Sequence, residues 1–450
     1  MFNFKTIKDV LSLALPAVGE MILYMMIWVF DTMMVGKYGG NVAVSTVGLS
    51  SEILYTFVNI FISVGISVGI ASLVARSIGA KKFNYAEEYA TLGLLSGTIL
   101  ALLLSLCIFV FCGSILKLAG ANQQVQSLGV MFMRIASAGI FFNMLMNVQN
   151  GILRGYGNTK TPLIASAFVN IINISLDWLL IFGHYGFPEL GIKGSAIATA
   201  TSQTLGFLFI SWYMFKRSEI KPRLKYIENI NFTKLKALLK LSAPSSLQQG
   251  ASDFARLLTA FMIMHLGTVS FASNQITTTI ESISFMPGWG FAIAATTLVG
   301  IKTGENDIKK AKEYAYTCTG LGTLLMTLCS ILFLIFPTLL INMFISNNEH
   351  QVISLGSMCL MIASLEQPTM AVAMILGGAL KGSGDTKTPF IVSLISSWVI
   401  RIPLIYYLIF CQGRPVTFVW WITALQWCFE CITLLVLFNK RLRKYYSLST

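Results

Sequence analysis

Apolar residues in this chain neither alternate nor recur on a single stripe; they fill long continuous runs separated by short polar punctuation. Runs of about 20 residues or more can each span a hydrocarbon core of roughly 30 Å as a helix. The pattern predicts twelve helices, at 10–36, 50–75, 90–113, 127–150, 162–183, 194–215, 240–266, 271–300, 315–343, 354–378, 389–410 and 417–438. Short alternating strands are absent, which argues against an outer-membrane barrel. The fold class is therefore an all-α membrane protein of twelve transmembrane helices.

Composition agrees: 55% of the 450 residues are hydrophobic, 11% are charged, and the mean hydropathy is +0.72. A net charge of +13 would suggest nucleic acid in a soluble protein, but here the basic residues sit between apolar runs. With both termini on the cytoplasmic side, 25 of the 32 Lys and Arg residues fall in the inner segments and only Lys37, Lys117, Lys193 and Arg414 fall outside. That bias sets topology and leaves no nucleic-acid patch. The eight cysteines show neither zinc spacing nor a secreted framework, and Cys428 and Cys431 form a CxxC only by coincidence inside a span.

One dozen residues occur twice, GILRGYGNTKTP at 151–162 and GALKGSGDTKTP at 378–389. Gly, Pro and Asn or Asp punctuate a tight connection between helices. Leu13-Ala14-Leu15-Pro16 recurs as Leu241-Ser242-Ala243-Pro244, and Ala86 to Ala90 as Ala311 to Ala315. The chain is a duplication with six helices per half, so both halves enter the membrane the same way round. This implies a parallel repeat about an axis along the membrane normal, with a central cavity between two six-helix bundles. The expected domains are an N-terminal lobe at 1–215, a basic cytoplasmic linker at 216–240 and a C-terminal lobe at 241–450.

Ionisable groups inside spans are expensive and are functional candidates by default. Asp31, Asp177 and Thr199 each lie five or six residues from an outer helix end, roughly 7 to 9 Å deep at 1.5 Å per residue. Asn173 and Asp177, four apart, share a helix face and can converge with Asp31 on a cation or a shared proton. Polar groups in spans can also simply bond one another, but two carboxylates with no basic partner at that depth repel. The repeat turns Asp31 into Thr259 and Asp177 into Leu404, so only the first half carries the acidic site.

The other intramembrane charges read more simply. Asp253 can pair with Arg256, Glu366 with Arg401 and Glu52 with Arg134, while Glu20, Glu281 and Glu430 have no assigned partner. After Glu281, Pro287 and Gly288 are expected to break the helix and expose Met286 and Trp289. That surface suits an apolar cation or is a lipid-packed kink. The three histidines give no metal or triad signature.

Pro16 fifteen residues before Asp31, Asn173 with Asp177, the run GIKGSAIAT at 191–199, both GxGxTxxP loops and the duplication together resemble the multidrug and toxic compound extrusion (MATE) transporters. The resemblance implies a V-shaped pair of six-helix lobes that export organic cations and other amphipathic compounds in exchange for protons or sodium ions. It makes Asp31 the coupling carboxylate, Asn173, Asp177 and Thr199 its polar network, and Pro16 a bend in the first helix. Residues 245–252 lack the glutamate of the norfloxacin-exporter type. The chain thus looks closer to the branch of DNA-damage-inducible protein F, with coupling in the first lobe.

These readings imply a bacterial inner-membrane antiporter that needs no cofactor beyond its coupling ion. Its partners are small molecules and lipids, with no obligate protein partner. A lipid-linked oligosaccharide flippase is the alternative, but it needs a cationic cavity. An intramembrane enzyme needs a reactive cluster that this sequence does not present.

Overall fold

The computed structural model describes residues 4–345 and 349–449, with the side chains of Trp28, Val29, Asn41 and 442–449 set aside. The side chains of Arg443 and Lys444, two of the expected inner charges, thus lie outside the described residues. Twelve long helices follow one another: α1 (Phe4–Gly40), α2 (Val42–Gly79), α3 (Phe83–Leu118), α4 (Gln123–Gly155), α5 (Lys160–Phe182), α6 (Ile192–Lys216), α7 (Phe232–Met264), α8 (Thr268–Gly304), α9 (Ile308–Ile335), α10 (His350–Ser383), α11 (Lys387–Cys411) and α12 (Thr417–Ser449). Among the described residues, all but α6 and α7 are both long and apolar enough to cross a membrane. Those two are diluted by Ser195, Thr199, Ser202 and Gln203, and by Gln248, Gln249, Asp253 and Arg256.

Most helices run past the apolar stretches that predict them, because a backbone already hydrogen-bonded in the membrane continues into polar flanks. Between α1 and α2 the helical trace bends only at Gly40, whose φ of 59° suits a residue without Cβ. Two expectations fail at prolines. The ninth helix stops at Ile335, and Pro337 starts a separate short helix, Pro337–Asn342, since proline serves best at a first helical position. Helix α8 instead runs unbroken through Pro287. Gly288 and Gly290 permit close packing there: a Cβ on Gly288 would meet the sulfur of Met326, and one on Gly290 the backbone of Val18.

The duplicated dozen residues are also only half a loop. Gly151 and Gly155 belong to the last turns of α4, and Gly378 and Gly382 to those of α10. A Cβ on Gly155 would lie 2.7 Å from the carbonyl oxygen of Ala71 in α2, and one on Gly378 2.5 Å from that of Ala292 in α8. Each GxxxG pair thus lets two backbones touch, the means by which helices associate where no hydrophobic effect separates them from lipid. The loop proper is closed the same way in both copies, by an Asn or Asp side chain that accepts from the backbone three residues on, in the first turn of the next helix. Asn158 Oδ1 accepts from the Thr161 N–H at 3.0 Å, and Asp385 Oδ1 accepts from the Thr388 N–H at 3.0 Å. Gly157 and Gly384 supply the left-handed step before it, with φ of 93° and 94°.

The chain forms two compact units, Gly19–Ser246 on one side and Met1–Val18 with Leu247–Thr450 on the other. The opening segment of α1 therefore packs with the later helices, where Val10, Ala14 and Val18 join Phe291, Ala294 and Ala379 in one core. Thr6 donates to Glu313 Oε1 at 2.6 Å, and Tyr314 donates to Asp9 Oδ2 at 2.7 Å. In the other unit the opening segment of α7 is held in the repeat-related way. Lys234 pairs with Glu88 and lies 3.5 Å over the Tyr85 ring. The core of that unit runs through Ile70, Val74, Met144, Val148 and Ile152.

Candidate functional site

Asp31 lies on α1, Asn173 and Asp177 one turn apart on α5, and Thr199 on α6, all within the unit Gly19–Ser246. They are 8%, 1%, 0% and 6% exposed. The structure brings the carboxyls of Asp31 and Asp177 against each other. Neither oxygen of Asp177 nor Oδ1 of Asp31 has a donor in reach, and both amide atoms of Asn173 and the hydroxyl of Thr199 are likewise buried without a protein partner. Two adjacent anions in a low dielectric repel, so a carboxyl pair placed here favours binding of a proton or a cation.

The surrounding shell was not singled out from sequence. Tyr55 of α2 is buried beside Asp31 and Gln203. Asn143 of α4 donates to Gln203 Oε1 at 2.7 Å and accepts from Asn147 Nδ2 at 3.0 Å. Tyr24 packs edge-on against Tyr55 with ring centroids 5.7 Å apart. A signal was available: Ser195, Thr199 and Gln203 recur every four residues on α6, one polar stripe on a helix that must hide it from lipid.

Pro16, Asp253, Arg256, Glu281, Met286, Trp289, Glu366 and Arg401 lie in the other unit. Pro16 sits inside an otherwise regular α1. Met286 and Trp289 are partly buried on α8, where Trp289 touches Phe285 with centroids 5.6 Å apart. Glu281 faces Glu366 and accepts from Gln367 Nε2 at 3.4 Å. Asp253 and Arg256 pair as expected at 3.5 Å. The Glu366–Arg401 pair is looser than expected: Arg401 faces both Glu366 and Glu281, yet neither Glu366 oxygen has a hydrogen-bond donor. Glu20 does have a partner, a buried ion pair with Arg154, and Asn150 Nδ2 donates to the same carboxylate oxygen at 3.3 Å. Among the described residues, no three His, Cys, Asp or Glu side chains group as a metal site.

Known proteins decide what this architecture is. The MatE family matches residues 16–179 and again 244–407. The chain belongs to the MATE family. The two matched stretches are offset by 228 at both ends (244 − 16 and 407 − 179), the shift that carries Pro16 onto Pro244. This MATE protein is 31% identical over 410 residues to the probable multidrug resistance protein NorM of Thermotoga maritima, covering 89% of this chain and 85% of that one. It is 24% identical over 404 residues to the multidrug resistance protein MdtK of Yersinia pseudotuberculosis, covering 89% and 87%. In fold it matches an outward-facing multidrug resistance MATE family transporter with a TM-score of 0.90 at 21% identity, over 98% of this chain and 97% of that one. The Vibrio cholerae MATE transporter VcmN in its bent form matches with a TM-score of 0.88 at 18% identity, over 98% of both chains. The MATE protein is thus a multi-pass membrane transporter and not an enzyme.

Proposed function

We propose that this MATE protein exports organic cations and other amphipathic drugs by antiport with protons or sodium ions, and that Asp31, Asn173, Asp177 and Thr199 form the exchange site. The observation that carries this is the donor-free contact of the Asp31 and Asp177 carboxyls, both buried. A buried carboxyl pair binds one positive charge well and two poorly. An incoming proton or ion therefore competes with a cationic drug, and its arrival neutralises the pocket and lets the drug leave. The membrane potential contributes about 2.3 kcal/mol per charge per 100 mV to such an exchange.

Five oxygens free of protein donors, from Asp31, Asn173, Asp177 and Thr199, suit either coupling ion. Pro16 gives α1 a point of bending, because it leaves one helical hydrogen bond unmade. Met286 and Trp289 offer soft and aromatic surface for a drug on its way through. Coupling in the first half is the arrangement expected of a chain resembling the DNA-damage-inducible protein F branch. The excess of Lys and Arg in the even-numbered connections supports an orientation with both termini and both GxGxTxxP loops in the cytoplasm of a bacterial cell.

Asp31→Asn keeps the shape of the side chain and removes its exchangeable charge. Efflux of a fluorescent organic cation from proteoliposomes, driven in turn by a proton and by a sodium gradient, should fall at least tenfold in Asp31→Asn and in Asp177→Asn, with insertion unchanged. Normal gradient-driven efflux by a well-inserted Asp31→Asn protein would overturn the assignment.

A further inference from the structure

The linker between the halves has no part in the exchange site, yet it is built into the unit Gly19–Ser246. The Ser218 hydroxyl donates to the Ile220 carbonyl at 3.0 Å, and Ile220 is buried in the core of that unit. Arg223 then grips α3 twice. Its backbone N–H donates to Thr91 Oγ1 at 3.0 Å, and its guanidinium pairs with Glu87 at 2.7 Å. Glu87 and Thr91 are both buried, so the linker is clamped to the wall of the unit and does not hang free of it.

The clamp fixes a depth. Thr91 stands second in the apolar run 90–113 of α3, so the residues beside Arg223 lie where hydrocarbon gives way to headgroups. Two large apolar side chains stand out of the protein there, Leu224 at 76% and Ile227 at 40% exposure. They are three apart across the helical turn Lys225–Glu228 and share its outer face. The last turns of α6 carry a second mark of the same boundary. Trp212 is half-exposed there, and the Arg217 guanidinium lies over its ring at 5.4 Å.

Charge selects the lipid. From Lys216 to Lys240 the chain has eight basic residues and two acids, Glu219 and Glu228. Glu87 and Glu88 of α3 neutralise only Arg223 and Lys234. Lys221 and Lys225 flank the clamp, and among the described residues neither meets a carboxylate. We propose that the linker is a docking site for anionic phospholipid, in which Leu224 and Ile227 enter the headgroup boundary while Lys221 and Lys225 bind lipid phosphates. Apolar burial alone would accept any lipid, and a zwitterionic headgroup cancels its phosphate with its own amine. The cations make the site selective, since each basic residue held at an anionic surface adds about fivefold to local affinity.

An environment-sensitive dye on Ile227→Cys, in full-length protein without other reactive thiols, tests this in two kinds of vesicle. One is phosphatidylcholine alone, and the other has phosphatidylglycerol as a third of its lipid. The dye should emit further to the blue with phosphatidylglycerol and be quenched there by lipid spin-labelled near the headgroup, and high salt should weaken both effects. Lys221→Gln with Lys225→Gln should lose at least half of the phosphatidylglycerol-dependent shift, and Leu224→Ser should reduce the quenching. Equal emission in the two vesicles, or a full shift in the double glutamine variant, would overturn the proposal. A shift produced by inorganic phosphate in phosphatidylcholine vesicles would overturn it too, making the linker a site for free anions. Symmetric vesicles make the result independent of orientation, and a readout without transport makes it independent of the exchange site.

Discussion

Arg154 shows how much a residue's meaning depends on what it meets. By sequence it is a loop cation that reports topology, and Glu20 is an acid without a partner. In the structure the two form an ion pair with side chains only 10% and 4% exposed, at the helical end of the first duplicated motif. Removing one member of such a pair leaves the other charged in the interior. Arg154→Met should therefore destabilise the protein by about 3 to 5 kcal/mol. Arg154→Met with Glu20→Leu should recover most of that loss, as thermal unfolding in detergent would show. For Asp31, Asn173, Asp177 and Thr199 the helices that carry them were legible in the sequence, as was the face that Asn173 and Asp177 share, because one helix period fixes it. The partners were not. Glu20 and Arg154 lie 134 positions apart, and Glu430 and Ser396 lie on separate helices, so only packing brings them together.

At the level of elements, apolar run length identified the helices because lipid admits no other open backbone. Their ends and breaks were less legible. Pro287 does not interrupt α8, whereas Pro337 opens a separate short helix after the ninth span. The glycines of the duplicated motif looked like turn punctuation, but Gly155 and Gly382 are surfaces on which α2 and α8 rest. Gly382→Val would drive a side chain into the backbone of Thr296. It should cost about 1 to 3 kcal/mol, the usual penalty of overpacking. Gly384→Ala would instead strain the left-handed turn, with its φ of 94°, and leave the α8–α10 contact intact. Crosslinking between cysteines placed on α8 and α10 separates the two, since only Gly382→Val should reduce it.

For the molecule as a whole, the duplication was legible from a dozen residues, the family from those together with Pro16, Asp31, Asn173, Asp177 and the run at 191–199, and the charge bias supports one orientation. Single cysteines at Thr159 and Thr386, in a background without other reactive thiols, should resist a membrane-impermeant reagent added to intact cells. Ready labelling at both would invert the topology. The division into compact units could not be read from the repeat, because it runs through α1 and α7 and not between the halves. That division bears on how the protein is made. Residues 4–18 leave the ribosome before the helices they pack with, which begin at Leu247, so this segment waits for its partners until the whole stretch Gly19–Ser246 has been made. The early unit is itself unfinished until the opening turns of α7 emerge and Lys234 reaches Glu88. Neither half of the gene encodes a self-sufficient folding unit, and a chain interrupted in the linker must find its other half before either unit can close.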